Sequence, residues 1–196
     1  MIDAKNELRE RMRAVRDAID SSEASRACVT AADHAFTAVV DHAPSMVAVY
    51  SAVRSELNTG ALVDKLFAAG IAVAFPRVVR GKQRMGFHLV RELAELTPGY
   101  AGILEPPTHL PVVPVENIDL FIIPGIAFDA QGNRLGWGRG HYDVTLAENA
   151  HAVRVGFAFD TQVIDAVPST SYDLPMDLVI TEHRALQTGR GSRSET

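Results

Sequence analysis

Between Ile118 and Asp143 the chain reads IDLFIIPGIAFDAQGNRLGWGRGHYD, and no other stretch constrains the fold as much. The apolar run Ile118 to Ile123 is too short for a buried helix and suits a strand covered on both faces. It leads into Pro124 to Asp143, which carries five glycines, two arginines and two aspartates. A helix is expected to begin near Gly140 and to continue through Val144 to Ala150. A buried strand, a glycine-rich polar loop and a helix in succession are the local pattern of a parallel α/β sheet, whose ligands gather at the carboxyl ends of strands. Glycine tolerates positive φ and close backbone approach, and successive free N–H groups in such a loop can hold phosphate oxygens. The bare spacing Gly136-x-Gly138-x-Gly140 is a weak signal. Arg134, Arg139 and Asp143 beside it strengthen it.

The flanking segments agree with that fold class. Lys5 to Ile19 reads as a helix, with Leu8, Met12, Val15 and Ile19 on one apolar stripe. Lys5, Arg9, Arg13 and Arg16 lie along another face. They form either a solvated surface or a repulsive array whose cost a bound polyanion would offset. Asp20 is placed to cap a second helix, Ser21 to Val40, with an apolar face made largely of small residues. Met46–Tyr50 reads as a strand, Thr59–Ala69 as a helix closed by Gly70, and Ile71–Phe75 as the next strand. This β-α-β succession predicts a parallel sheet with crossover helices. Glu56, at the exit of the first strand, is either a helix-end residue or a ligand contact. After the basic turn Arg77, Arg80, Lys82, Arg84 comes a strand, Met85–Val90. Prolines mark irregular segments around Tyr100 and Glu105. Val153–Phe159 and Leu178–Thr181 are further strands, with a helical turn over Gln162–Val167 between them.

The expected fold is α/β: an open, mainly parallel central sheet flanked by helices in three layers, α/β/α, with an antiparallel edge portion. Residues 1–186 are expected to form a single domain. Residues 187–196 have little to bury and read as a disordered tail.

Composition excludes several classes. A formal charge of −5 gives no support for a nucleic-acid partner. Cys28 is the only cysteine, so no internal disulfide can form, and no Cys/His metal pattern is present. Cys28 reads as a small buried hydrophobe. No apolar run approaches membrane-spanning length and the first residues lack the apolar segment of a signal peptide. A soluble cytoplasmic protein without a membrane partner is the expectation.

Taken together these residues resemble the 5-formyltetrahydrofolate cyclo-ligase (methenyltetrahydrofolate synthetase) family. The resemblance rests on a hydrophobic strand followed by Pro124, Gly125, Phe128, Asp129, Gly132, Arg134, Leu135, Gly136, Gly138, Gly140, Tyr142 and Asp143. It extends to Lys5-x-x-Leu8-Arg9, Glu56 before Thr59, Pro76-Arg77, Met85-x-Phe87, Glu105-Pro106, Gln162, Asp173 and Thr181-Glu182. One position departs: family members commonly carry two adjacent tyrosines before the aspartate, and here the first is His141. Trp137 falls where an aromatic residue is common.

The resemblance implies ATP-dependent conversion of 5-formyltetrahydrofolate, in some cases polyglutamylated, to 5,10-methenyltetrahydrofolate with release of ADP and phosphate. It implies catalytic roles for Arg134, Tyr142 and Asp143. It implies ATP contacts from Lys5, Arg9, Gly136, Trp137, Gly138, Arg139, Gly140, His141 and Tyr142. Mg2+ would fall to Asp143 and Asp173. Folate contacts would come from Glu56, Met85, Phe87 and Tyr100, with Arg77 or Arg80 near the glutamate tail and Glu105 supporting or touching the folate. A monomer is expected. Two other readings keep the phosphate loop: a different ATP-dependent ligase for a small acid, and a catalytically silent nucleotide- or folate-binding relative. A dinucleotide oxidoreductase would carry its glycine motif after an early strand; this one comes late, with arginines and a closing aspartate.

Overall fold

The computed structural model describes residues 2–79, 81, 84–170 and 173–189. The first helix, α1 (Ile2–Asp17), is followed by α2 (Ser21–Asp41). Asp20 caps α2 as its position predicts, its carboxylate accepting from the N–H groups of Ser22 and Glu23. Then come β1 (Met46–Val49), α3 (Gly60–Ala68), β2 (Ala72–Val78) and β3 (Met85–Val90). A small hairpin pairs β4 (Thr97–Pro98) with β5 (Leu104–Glu105). After β6 (Val112–Val113) the apolar run forms β7 (Leu120–Ile123), buried along its whole length. A second hairpin, β8 (Ala127–Phe128) with β9 (Arg134–Leu135), precedes α4 (His141–Ala147). The chain continues through β10 (Val153–Phe157), β11 (Leu178–Ile180) and β12 (Ala185–Gln187).

The main sheet has eight strands in the order β12-β11-β10-β7-β1-β2-β3-β6. Its centre, from β11 to β2, is parallel, and β12, β3 and β6 add antiparallel edges. Small side chains on α2 (Ala27, Ala31, Ala35) meet Val47, Val49, Leu62 and Leu66 in one core layer. The opposite layer gathers Phe87, Phe121, Ile123, Phe128 and Leu146. The sheet therefore has helices on both faces, as its continuous apolar strands require. A third, smaller cluster seats α1 through Met12 against Ile126, Leu135 and Val167.

The order of strands fixes where a ligand fits. From β1 the chain moves one way to β2. From β7, hydrogen-bonded to β1, it moves the other way to β10 and β11. The crevice between the loops leaving β1 and β7 is the switch point at which open α/β sheets bind ligands.

Four local expectations are corrected. The stretch Pro124 to Asp143 is not one open loop, because its first half folds into the β8–β9 hairpin. Asp129 holds that turn, its buried carboxylate accepting from Gln131 N, Asn133 N, Asn133 Nδ2 and Val167 N at 2.9–3.0 Å. The helix after Gly140 ends at Ala147 rather than Ala150. Beyond it, Asn149 turns inward and donates to the carbonyls of Val115 and Ile118. The folded body also passes residue 186. Gln187 pairs with Leu178 in β12, and the buried Thr188 donates its hydroxyl to the Met176 carbonyl at 2.5 Å. A turn of 3₁₀ helix spans Asp160–Gln162, upstream of the turn expected over Gln162–Val167. Residues 190–196 of the expected tail, and Arg80 and Lys82, lie outside the described residues.

Candidate active site

The site is built where the loops after β1 and β7 meet. The β1 loop is pinned by Tyr50, whose hydroxyl donates to the Leu57 carbonyl at 2.6 Å, and by Thr59, whose hydroxyl donates to the Tyr50 carbonyl at 2.9 Å. These bonds carry Glu56 inward until it is 8% exposed. Its Oε1 accepts from Trp137 Nε1 at 2.9 Å and its Oε2 from Val53 N at 3.0 Å. Burial raises the Glu56 pKa, and the bonds from Trp137 and Val53 pull against that rise. Glu56 thus ties the two loops together across the switch point.

Helix α1 crosses the same place. Arg9 Nε donates to the Gly136 carbonyl at 2.9 Å. Its guanidinium lies 3.2 Å from where a Cβ on Gly138 would stand, and Gly138 has φ +87°. Only glycine satisfies both the backbone angle and the close approach. Lys5 donates to Asp173 Oδ2 at 2.9 Å, and Thr170 adds its backbone N–H to the same oxygen at 2.7 Å. Burial opposes ionisation of Asp173, yet the bonds from Lys5 and Thr170 prevail and lower its pKa.

Arg134 leaves the end of the hairpin with its side chain 7% exposed. One guanidinium nitrogen contacts Asp143 Oδ1 at 3.0 Å, another reaches the Pro124 carbonyl at 3.4 Å, and Nε is buried with no hydrogen-bond partner. The group also lies over the Tyr142 ring, 5.5 Å from its centroid. Burial raises the Tyr142 phenol well above its ordinary value, so at neutral pH it is a hydrogen-bond donor and not an anion. Gly140, at φ +68°, turns the chain into α4, whose first residue is His141; the His141 carbonyl accepts from the Thr145 hydroxyl at 2.8 Å.

The remaining predicted residues divide. Arg139 reaches out from the loop and donates to the Tyr100 hydroxyl at 3.0 Å, which brings the β4–β5 hairpin to the site. Met85 is joined to α4 through its backbone N–H, which donates to Thr145 Oγ1 at 3.2 Å. Phe87 sits in the core, edge-on to Phe121 with centroids 5.7 Å apart. Glu105 is buried beneath Gly99, accepts from Val78 N at 3.3 Å and faces Arg77 at 3.7 Å. Arg77 also donates to the Pro106 carbonyl at 2.7 Å. These two brace the hairpin to β2. Gln162 is a bolt as well, its amide donating to the Gly125 and Ile126 carbonyls.

Arg13, Arg16 and Arg54 surround the Trp137 indole at 4.8, 5.7 and 5.9 Å from its centroid. The sequence offered the first two only as part of a basic face that a polyanion could cover, and Arg54 not at all, because its position depends on a left-handed backbone turn, φ 55°.

The magnesium that the resemblance implies has a limited set of donors. Among the described residues no group of three or more His, Cys, Asp or Glu is placed to hold a metal ion. Asp143 and Asp173 each face a cation instead. That donor set fits a magnesium held by one or two carboxylates and completed by substrate phosphates and water. It does not fit an all-protein cage.

The fold and this geometry define an open α/β protein whose ligand cleft lies at the switch point of the sheet, walled by a glycine–arginine loop and a basic helix. Residues 1–182 match the 5-formyltetrahydrofolate cyclo-ligase family, and the chain belongs to that family. It is 27% identical over 177 residues to the 5-formyltetrahydrofolate cyclo-ligase of Haemophilus influenzae, a match covering 88% of this chain and 94% of that protein. With the enzyme of the same name from Escherichia coli K12 it shares 33% identity over 142 residues, 69% of this chain and 76% of that one. The NMR structure of Aquifex aeolicus 5,10-methenyltetrahydrofolate synthetase superposes with a TM-score of 0.84 at 27% identity, over 98% of this chain and 96% of that chain. The Mycoplasma pneumoniae 5,10-methenyltetrahydrofolate synthetase, at 21% identity and a TM-score of 0.75 over 91% of this chain and 98% of that one, shares the fold. Among the described residues no helix is long and apolar enough to cross a membrane.

Proposed function

We propose that this protein is an ATP-dependent ligase that cyclises 5-formyltetrahydrofolate to 5,10-methenyltetrahydrofolate, releasing ADP and phosphate. The observation that carries the reading is Arg134: a guanidinium nearly removed from solvent, with one N–H unpartnered, beside Asp143 and a loop of glycines, in a chain of this family. A buried guanidinium with a spare donor suits a phosphate oxygen.

The chemistry asks for alignment and charge neutralisation more than for covalent help. The formyl oxygen attacks the γ-phosphorus, the bond to the β-phosphate oxygen breaks, and ADP leaves. Folate N10 then attacks the activated formyl carbon, phosphate departs with the former formyl oxygen, and the N10 proton is lost to solvent as the five-membered ring closes. Arg134 and Arg139 neutralise phosphate charge, and Lys5 and Arg9 bring α1 over the nucleotide. Gly136, Gly138 and Gly140 let the backbone approach the phosphates. Tyr142, kept protonated, donates a hydrogen bond while its ring supports Arg134. Trp137 and His141 wall the nucleotide side. Glu56, Met85 and Tyr100 form the folate side, where Phe87 was expected to join them but backs them from the core instead, with Arg77 and Glu105 holding the hairpin beside it. Asp143 and Asp173 would hold magnesium, which when bound screens the charge of the transferred phosphoryl group.

The test is a spectrophotometric assay of methenyl-folate formation with 5-formyltetrahydrofolate, ATP and magnesium, each omitted in turn. Product is expected only when all three are present, and a wild-type protein that makes none overturns the reading. Arg134→Ala and Asp143→Asn are each expected to lower kcat by 10²-fold or more while the fold, followed by circular dichroism, is kept. Unchanged turnover in either variant removes that residue from the catalytic set.

A further inference from the structure

Three guanidinium groups converge on one indole. Arg13, Arg16 and Arg54 all lie within 5.9 Å of the Trp137 ring centroid. Such crowding of like charge is unfavourable unless something negative joins it. Two carboxylates offset it only in part: Glu56 acts on Arg16 while accepting from Trp137 and Val53, and Asp17 acts on Arg16 both directly and through Ser55, which accepts from Arg16 Nε at 3.0 Å and donates to Asp17.

Three independent features mark the cluster as built to receive a ligand. Arg16 is 2% exposed, yet its Nη1 has no hydrogen-bond partner, and Arg13 Nε is likewise buried and unpartnered. A buried donor left unmade is costly, more so when charged. Arg54 is held at φ 55°, a left-handed conformation that strains a non-glycine residue. A cleft of about 450 Å³ adjoins Arg16 and Arg54, lined also by Asp17, Ser55, Glu56 and Phe159 among others. Burial lowers the Arg16 pKa, the Glu56 and Asp17 carboxylates oppose that shift, and Arg13 adds least to it.

We infer that Arg13, Arg16 and Arg54 form an oxyanion-binding site against Trp137, separate from the Arg134–Asp143 pair, that takes a carboxylate or phosphate group of a bound ligand. The inference rests on the proposed reaction only for the source of that group. The source is either the acidic tail of the folate or the polyphosphate of the nucleotide.

Trp137 is the only tryptophan in the chain, so its fluorescence reports this cluster directly. The full-length protein is titrated at fixed ionic strength with tri-γ-glutamate in one arm and with inorganic tripolyphosphate in the other. A saturable change is expected in one arm, and that arm identifies the source. Arg13→Ala and Arg54→Gly are each expected to weaken it by about tenfold or more. Arg54→Gly also relieves the left-handed strain, so its melting temperature should equal or exceed the wild-type value, an outcome that a merely structural arginine would not give. No saturable change with either anion, or a change that both variants leave intact, overturns the inference. The methenyl-folate assay keeps the two readings apart. Turnover without an anion response overturns this site alone, and an anion response without turnover supports this site and overturns the proposed reaction.

Discussion

Asp177 shows how a single carboxylate can be identified as a cost. It accepts the N–H of Arg154 at 2.8 Å, and burial pushes its pKa up to about 6, with His42 pulling weakly the other way. The folded state therefore binds the proton more tightly than the unfolded chain does. This contribution to stability is fully present below about pH 4 and is lost as pH rises through 6. A two-unit shift is nominally about 3 kcal/mol; for a half-exposed group, screening reduces it to roughly 1 kcal/mol. Asp177→Asn keeps an oxygen for the Arg154 N–H and removes the charge. It is expected to raise the melting temperature at pH 7.5 by about 2–4 °C, with the gain vanishing below pH 4. A gain that persists at pH 3.5, or none at pH 7.5, contradicts this account. Residue identity alone does not disclose such roles. Asp129 and Gln162 stand in the matched pattern as visibly as Arg134 does, yet both are structural bolts. Which motif residues face a ligand depends on the β8–β9 hairpin, whose pairing no local periodicity announced.

At the scale of elements, α1 is the part most exposed to change. Its anchors are of two kinds: the small apolar contact through Met12, and polar bonds from Lys5, Arg9 and Arg16 to Asp173, Gly136 and Ser55. Gly138→Ala strikes the second kind. The new methyl would stand 3.2 Å from the Arg9 guanidinium, on a backbone at φ +87° that alanine resists. The strain is worth about 1–2 kcal/mol, and the loop can shed it by moving away from Arg9. The expected outcome is a rise in KM for ATP of about tenfold with a smaller change in kcat and a melting temperature within a few degrees of wild type. An unchanged KM would show that α1 does not cover the nucleotide. The elements themselves were largely legible from sequence. The apolar runs at Met46, Ile71, Ile118, Val153 and Leu178 all became strands of one sheet, because a strand covered on both faces must be continuously apolar. The short pieces were not legible. The two-residue strands β4, β5, β8 and β9 are too short to show a periodicity, β6 is fixed by its distant partner β3, and Thr188 is buried by a contact with Met176 that its own neighbours do not foretell.

For the whole molecule the question is how a chain of net charge −5 can favour a highly anionic ligand. The answer lies in distribution. The sheet order brings the loops after β1 and β7 together, and α1 lays its basic face across them, so that Arg9, Arg13, Arg16, Arg54, Arg134 and Arg139 share one edge of an otherwise acidic protein. Basic groups that outnumber the carboxylates Glu56, Asp143 and Asp173 around one cleft focus their field on an anionic ligand, and exposed members such as Arg54 and Arg139 are screened by salt over about 8–10 Å. Two consequences belong together. A non-hydrolysable ATP analogue with magnesium, at about 100 times its dissociation constant, should stabilise the fold by about 2.7 kcal/mol, or about 5–10 °C for a chain of this length. Raising sodium chloride from about 0.05 to 0.5 M should shrink that shift at fixed analogue concentration, because ligand affinity falls while the apolar core does not weaken. Thermal unfolding followed by circular dichroism reads both. A shift that survives high salt undiminished would place the binding energy in the buried contacts of Arg134 and Asp143 and leave the outer arginines without an electrostatic part.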